Sequence, residues 1–159
     1  MEGFEWKDMG LQSLFKALQE SNLSVKIGIL AEKDARTLQS PLDEGKNMSN
    51  ATIGMIHEFG MGVPQRSFLR KPIQEQFQKY LQGSGAFDEK SARDVVKGKS
   101  LLPWVKKFGV IGVRIVNDAF DSGYDWQPSN MKYKTVHQTL VESQQLRNSI
   151  TFQVEGGNQ

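Results

Sequence analysis

The sequence predicts an α+β domain in which a small antiparallel sheet is flanked by helices. Two stretches alternate apolar and polar residues as strands do, one in residues 25–30 and the other in residues 150–154. Elsewhere, apolar residues recur at helical spacing in several separate segments. The chain has 159 residues, a length typical of one domain, so we expect 1–159 to fold as a single unit.

The N-terminal part of the chain predicts one helix, one strand and a loop. Apolar residues at positions 11, 14, 15 and 18 share one helical face. Val25, Ile27 and Ile29 then alternate with other residues, which is typical of a strand. Residues 31–50 are polar and have no periodic apolar face, so we predict a long mobile loop that becomes ordered on assembly.

Two helices and a turn are predicted next. Asn50 is a suitable N-cap for a short helix over 51–59, and Gly60 is a suitable C-terminal stop. After the turn, 65–71 is predicted to be extended, because a residue that precedes a proline is disfavoured in the α region. Pro72 then begins a helix whose apolar residues stand at positions 73, 77, 80 and 81.

Residues 83–100 form a polar connecting segment, and a longer helix is predicted after it. The apolar stripe of this helix comprises Leu101, Trp104, Val105, Phe108, Ile111, Ile115 and Ala119. Gly109 and Gly112 each cost a helix about 1 kcal/mol relative to alanine, so we expect them to permit close approach of a neighbouring element. The last strand begins at Ile150. Since two strands make a poor sheet, either further strands exist or another copy completes the sheet.

The composition excludes several classes of function. There are no cysteines, which excludes disulfides, thiolate zinc sites and cysteine nucleophiles and fits a reducing cytoplasm. A net charge of +2 is too small to indicate nucleic-acid binding by itself. No apolar run approaches the roughly 18 residues of a membrane span. The N-terminus lacks the apolar region of a signal peptide, so no membrane association is expected.

The segment IGMIHEFGMGVPQRSFLR, residues 53–70, concentrates the groups that could do chemistry. His57 and Glu58 begin like the zinc-protease motif HExxH, but Met61 stands where the second histidine is required. No serine lies in a G-x-S-x-G elbow, the motif of α/β-hydrolases. The glycine-containing segment at 83–85 is not followed by the lysine that a P-loop requires. We therefore predict no enzyme activity, no catalytic residue, no metal and no cofactor.

Arg66 and Arg70 allow three interpretations. They could contact phosphates, with Phe68 available for stacking. They could belong to a protein interface, where arginine and aromatic residues are enriched. They could also pair with Glu58 and another acid and so fix the loop to the core. A nucleic-acid-binding module that uses these arginines and the lysines of 90–107 is the alternative function from a different class.

The same segment carries a resemblance to a known family. An isoleucine-containing helix that ends in HEFG and is followed by P-x-R-x-F-L-R resembles the signature of small virion-assembly proteins of tailed bacteriophages, of the neck or tail-completion type. The matching residues are Ile53, Ile56, His57, Glu58, Phe59, Gly60, Pro64, Arg66, Phe68, Leu69 and Arg70. A weaker second match is to the family's C-terminal box, P-L-I-D-T-G-x-L-R-x-S-I. Its matching residues are Leu140, Leu146, Arg147, Ser149 and Ile150, with Thr139 and Gln144 in place of the usual proline and glycine.

The resemblance implies a structural protein of the virion at the head–tail junction or the top of the tail, with a tail-terminator-like fold. A tail terminator or another minor tail protein is the alternative position. Copies are expected to form a ring of six- or twelve-fold symmetry that contacts neighbouring neck, connector and tail proteins. The segment 57–70 is then a fixed corner and partner interface. From their spacing in the sequence, and not from the resemblance, we expect Glu58 and Arg66 to pair across the turn. Any proximity to DNA is expected to be non-specific.

Overall fold

The computed structural model describes residues 12, 16–35, 48–85, 90, 93, 94, 97, 100–126 and 144–156. Its two strands are β1 (Ser24–Ile29) and β2 (Ile150–Glu155). The helices whose bounds are described are α1 (Asn50–Phe59), α2 (Arg70–Gly83), α3 (Leu102–Ser122) and α4 (Gln145–Asn148). A 3-10 turn, Ala31–Lys33, follows β1. These elements form an α+β domain with an antiparallel sheet, as the alternation and the helical spacing predict.

The sheet pairs the first strand with the last. Its register sets Ile27 opposite Phe152 and so places the alternating apolar residues of both strands on one face. The opposite face is polar, and there Lys26 Nζ lies 2.7 Å from Glu155 Oε2. α3 contacts both strands. Within the residues described, the sheet has two strands, and the outer edge of each is unpaired.

α3 is the central element of the domain, and the helix predicted over 101–119 is confirmed. Trp104 lies against residues 17 and 18, which belong to the described helical stretch 16–20 near the N-terminus. Further along α3, one side packs on the apolar residues of α2. The main core cluster consists of Phe68, Val116, Phe120, Leu146 and Ile150. Residues from five different parts of the chain therefore meet along one helix.

Gly109 and Gly112 allow α3 to lie directly on the sheet. A β-carbon at Gly109 would overlap the ring of Phe152, and one at Gly112 would overlap the side chain of Ile27. The expected close approach is confirmed, and the neighbouring element is the sheet. The packing gained at these positions explains why the helix contains two residues of poor helix propensity.

The start of α1 differs from the prediction by one residue. Ser49 is the N-cap, and its side chain accepts a hydrogen bond from Thr52 N, while Asn50 is the first helical residue. The buried Asn50 side chain instead donates to the carbonyl oxygens of Lys33 and Ala35, at 3.1 Å each. Asn50 therefore ties the turn after β1 to α1, a long-range contact that a local capping rule does not anticipate.

The start of α2 also differs from the prediction. The helix begins at Arg70, so Lys71 is helical although it precedes a proline, and the extended segment is shorter than 65–71. Pro72 is tolerated because it lies in the first turn, where an amide has no partner within the helix. The predicted break is confirmed, since α2 ends at Gly83. Residues 36–47 of the predicted loop, most of 86–99, and Leu140 lie outside the described residues.

We expect Gly109→Ala to lower the free energy of unfolding by about 1–3 kcal/mol, because the new methyl group must displace the Phe152 ring. Gly83→Ala is the matched control. No atom lies within 4 Å of a β-carbon there, so it should gain up to about 1 kcal/mol from helix propensity. Urea denaturation of both variants measures the difference. Equal stability of the two variants would contradict direct packing of α3 on the sheet.

Candidate functional site

The corner, residues 57–70, joins α1 to α2. α1 ends at Gly60, whose φ of 71° is in the left-handed region that favours glycine, so the predicted stop is confirmed. The amide nitrogens of Gly60 and Met61 both donate to Ile56 O, the latter at 2.9 Å. The chain then reverses direction and returns alongside the end of α1.

The returning chain caps the C-terminus of α1. Arg66 N donates to His57 O at 2.8 Å, and Gln65 Nε2 donates to Glu58 O at 3.0 Å. Carbonyl oxygens in the last turn of a helix have no partner within the helix, so such groups must come from elsewhere. Residues 65 and 66 supply them here.

The Glu58 carboxylate caps the N-terminus of α2. Its Oε2 accepts hydrogen bonds from the amides of Phe68 and Leu69, each at 3.0 Å. Its Oε1 accepts from Ser67 Oγ at 2.6 Å and from Arg70 N at 3.2 Å. Glu58 is only 6 % exposed, so these four donors replace the water it loses. A negative charge at this end of a helix is also favoured by the helix dipole.

The remaining groups of the first turn of α2 are satisfied as well. Lys71 N donates to Ser67 Oγ at 3.0 Å, and Ile73 N donates to Leu69 O at 3.3 Å. Pro72 has no amide hydrogen. The helix therefore needs no capping side chain at its own N-cap residue, Leu69, which provides none. The cap comes from the preceding helix, and for this reason α2 can begin two residues before the sequence predicts.

The two arginines of the corner have different environments. Arg70 Nε lies 3.9 Å from Glu58 Oε1, its guanidinium lies 5.8 Å from the centroid of the Phe59 ring, and its side chain is 64 % exposed. Arg66 is only 5 % exposed, its Nη1 lies 3.5 Å from His57 Nδ1, and burial lowers its pKa. The ion pair described for Glu58 is thus with Arg70, whereas the expected partner was Arg66. Burial of Arg66 also disfavours its use as a phosphate contact.

The C-terminal box meets the corner in the core. Leu146 and Ile150 belong to the same buried cluster as Phe68. Ser149 Oγ donates to Leu146 O at 2.6 Å. Just outside this cluster, Arg147 makes two contacts with the Asp121 carboxylate, at 2.6 and 2.7 Å. The two matching segments are far apart in the chain, and the fold brings them together.

Gln144 is left-handed, with a φ of 54°. The family that this chain resembles usually has glycine at this position, and glycine adopts this conformation without strain. The turn before α4 therefore has a glycine-like geometry although the residue is glutamine.

Sequence reasoning missed three participants in the corner: Gln65, Ser67 and Trp126. Trp126 Nε1 donates to Ser67 O at 3.2 Å, and the Trp126 ring centroid lies 5.5 Å from that of Phe120. A serine shortly before a helix start is a weak local signal for a cap. The contact with Trp126 spans 59 positions of the chain and has no local signal.

The outer side of α1 is apolar and exposed. Met55 and Phe59, one helical turn apart, are 52 and 57 % exposed, and we call these two residues the α1 apolar face. Met61, two residues beyond the helix, is 60 % exposed. A groove of about 280 Å³ adjoins the α1 apolar face, and its apolar lining includes Ile29 and Leu69. The corner thus has a hydrogen-bonded interior and an apolar exterior.

Neither a metal cluster nor a membrane-spanning helix is found in the part of the chain that the structure describes. No protein-family model, curated protein or solved structure matches the chain. The family resemblance therefore depends on the two matching segments alone.

We expect Glu58→Gln to lower the free energy of unfolding by about 2–3 kcal/mol, because an amide cannot accept all four hydrogen bonds and adds donors that face other donors. Glu20→Gln is the control, since Glu20 is exposed and makes one surface ion pair with Lys16. That change should remain within about 0.5 kcal/mol. Denaturant titration measures both, and an unchanged Glu58→Gln midpoint would refute the cap.

Gln144→Gly should raise the free energy of unfolding by about 1 kcal/mol, because it removes the strain of a left-handed glutamine. Gln145→Gly is the control one residue later, in α4, and it should cost about 0.5–1 kcal/mol. Thermal unfolding followed by circular dichroism compares the two. Destabilisation by both changes would mean that Gln144 is not strained.

Proposed function

We propose that this chain is a structural component of a tailed-phage virion, located at the head–tail junction or the top of the tail. It assembles with copies of itself into a ring and catalyses no reaction. One observation carries the proposal: the polar side chains of the HEFG and PQRSFLR segments are engaged within the corner. Glu58 caps α2, and Arg66 is buried beside His57. Groups held in this way determine chain geometry.

The α1 apolar face supports assembly between copies. Methionine, aromatic and arginine side chains are enriched in protein interfaces, and here Phe59 lies beneath the Arg70 guanidinium. The corner fixes the helix that carries this face, so the face has a defined orientation. The outer edges of β1 and β2, which are unpaired within the described ranges, offer a second means of contact. A head-to-tail contact that closes by rotation generates a ring.

A ring can occupy two positions in such a virion. A neck or tail-completion protein joins the head to the tail, whereas a tail terminator ends tail polymerisation. Virions that lack the protein distinguish these positions by electron microscopy. Filled heads separate from tails of normal length support the neck position, and tails of irregular length support the terminator.

The assembly test is a mass measurement by light scattering, followed by negative-stain imaging. The unmodified protein should give a mass that is a multiple of 17.9 kDa and ring-shaped particles. Met55→Gln with Phe59→Ser should shift the mass toward the single chain, because both side chains are more than half exposed and contribute little to the monomer core.

Val110→Gln is the matched control, since Val110 is as exposed as Phe59 but lies on α3. It should leave the mass unchanged. A mass of 17.9 kDa at every concentration, or complete virions formed without the protein, would refute the proposed function. If the variant with both Met55→Gln and Phe59→Ser still forms a ring, the α1 apolar face is not the interface between copies.

A further inference from the structure

The exposed side of α3 carries three cations, of which Arg114 also lies 6.0 Å from the centroid of the Tyr80 ring. Lys106, Lys107 and Arg114 are all exposed, and we call them the α3 basic face. They are the only charged residues between positions 101 and 117. The next charge along α3 is Asp118, which lies 3.8 Å from Arg114 Nε. The first half of the helix therefore presents positive charge alone.

Helix stability does not explain the placement of the two lysines, whereas Arg114 pairs with Asp118 one turn later. Acidic residues stabilise the first turn of a helix through its dipole, and α3 has none there. Its first charged residues are the two lysines. Lys107 Nζ lies 5.2 Å from the Trp104 ring centroid, and no carboxylate lies within ion-pair distance of either lysine in the described part of the chain. Both amino groups are therefore available to an anion.

The spacing of the cations fits a repeating anion. Lys106 and Arg114 are separated by eight residues, which corresponds to about 12 Å along a helix. Each strand of a duplex has one phosphate about every 3.4 Å along the duplex axis, so a face of this length can contact several phosphates. Val110 lies between the cations and is exposed, and it provides no hydrogen-bonding group for reading bases.

We propose that the α3 basic face binds the phosphate backbone of double-stranded DNA without sequence preference. Charge complementarity carries this inference, which goes beyond the proposed function and does not depend on ring formation. The corner arginines are poorer candidates, because Arg66 is buried and Arg70 pairs with the buried carboxylate of Glu58, whereas the Asp118 carboxylate beside Arg114 is half-exposed. Nucleic-acid contact is therefore assigned to α3.

The chain just before α3 carries charges of both signs. Lys90, Arg93 and Lys97 are exposed and are spaced as on one helical face. Residues 90 and 93 are helical, and Lys97 N donates to Arg93 O at 3.0 Å. Asp88, Glu89 and Asp94 offset these cations in the same segment, so the test concerns the α3 basic face alone.

The test is fluorescence anisotropy of a labelled DNA duplex titrated with the full chain. Between about 50 and 200 mM salt, three phosphate contacts should give a log–log slope of about −2.7. Lys106→Gln with Lys107→Gln should reduce that slope by about 1.8 and weaken binding by about two orders of magnitude at the lower salt concentration. Two duplexes of unrelated sequence should bind equally.

The matched control is Lys26→Gln with Lys33→Gln, which removes the same charge from other exposed positions. Lys26 lies on the polar face of the sheet, opposite α3. This variant should retain the slope and the affinity of the unmodified protein. Both double variants should keep the thermal midpoint and the light-scattering mass, because all four lysines are exposed. These two measurements separate a loss of DNA binding from a loss of folding or assembly.

Three results would overturn the inference. The first is the absence of salt-dependent binding by the unmodified protein. The second is an equal loss of affinity in both double variants, which would mean that net charge alone attracts DNA. The third is an unchanged slope in the Lys106 and Lys107 variant. None of these results bears on whether the protein forms a ring.

Discussion

The buried carboxylate of Glu58 is the interaction on which the rest of the structure depends. A charge removed from water is tolerated only where hydrogen bonds replace its hydration, and here four donors from the start of α2 do so. The same bonds determine where α2 begins. They also determine where Phe68 enters the core, since its amide is one of the donors. One side chain thus links the end of a helix, the start of the next and the main core cluster.

The corner and α3 together explain how a chain with a modest core forms a defined domain. The corner positions Phe68 from one side, and the C-terminal box supplies Leu146 and Ile150 from the other. α3 lies between the sheet and α2, in direct contact with the strands because two of its residues lack side chains. Met55 and Phe59 on α1 and Lys106 and Lys107 on α3 lie outside these core contacts and are exposed.

The corner illustrates which parts of the site could be predicted. Gly60 as a helix stop follows from local chemistry, because a left-handed residue after a helix favours glycine. The importance of Glu58, Phe68 and Leu69 follows from the resemblance. Spacing does not predict that Glu58 pairs with Arg70 and not with Arg66. Arg70 is exposed and Arg66 is buried, and the local sequence does not distinguish them.

By itself, the sequence determined the periodic features of this protein: both strands, the three longer helices, the stop at Gly60 and the need for glycine in α3. These follow from residue spacing and backbone preference, which act over a few positions. Three features were decided by the tertiary structure alone. They are the start of α2, the hydrogen bonds of the Asn50 side chain to the turn after β1, and the hydrogen bond from Trp126 to Ser67. Each of these depends on groups that lie from about ten to about sixty positions apart in the chain, as with Glu58 and Phe68, and Ser67 and Trp126. Capping and burial depend on residues that are close in space but distant in the sequence, so a local sequence pattern cannot predict them.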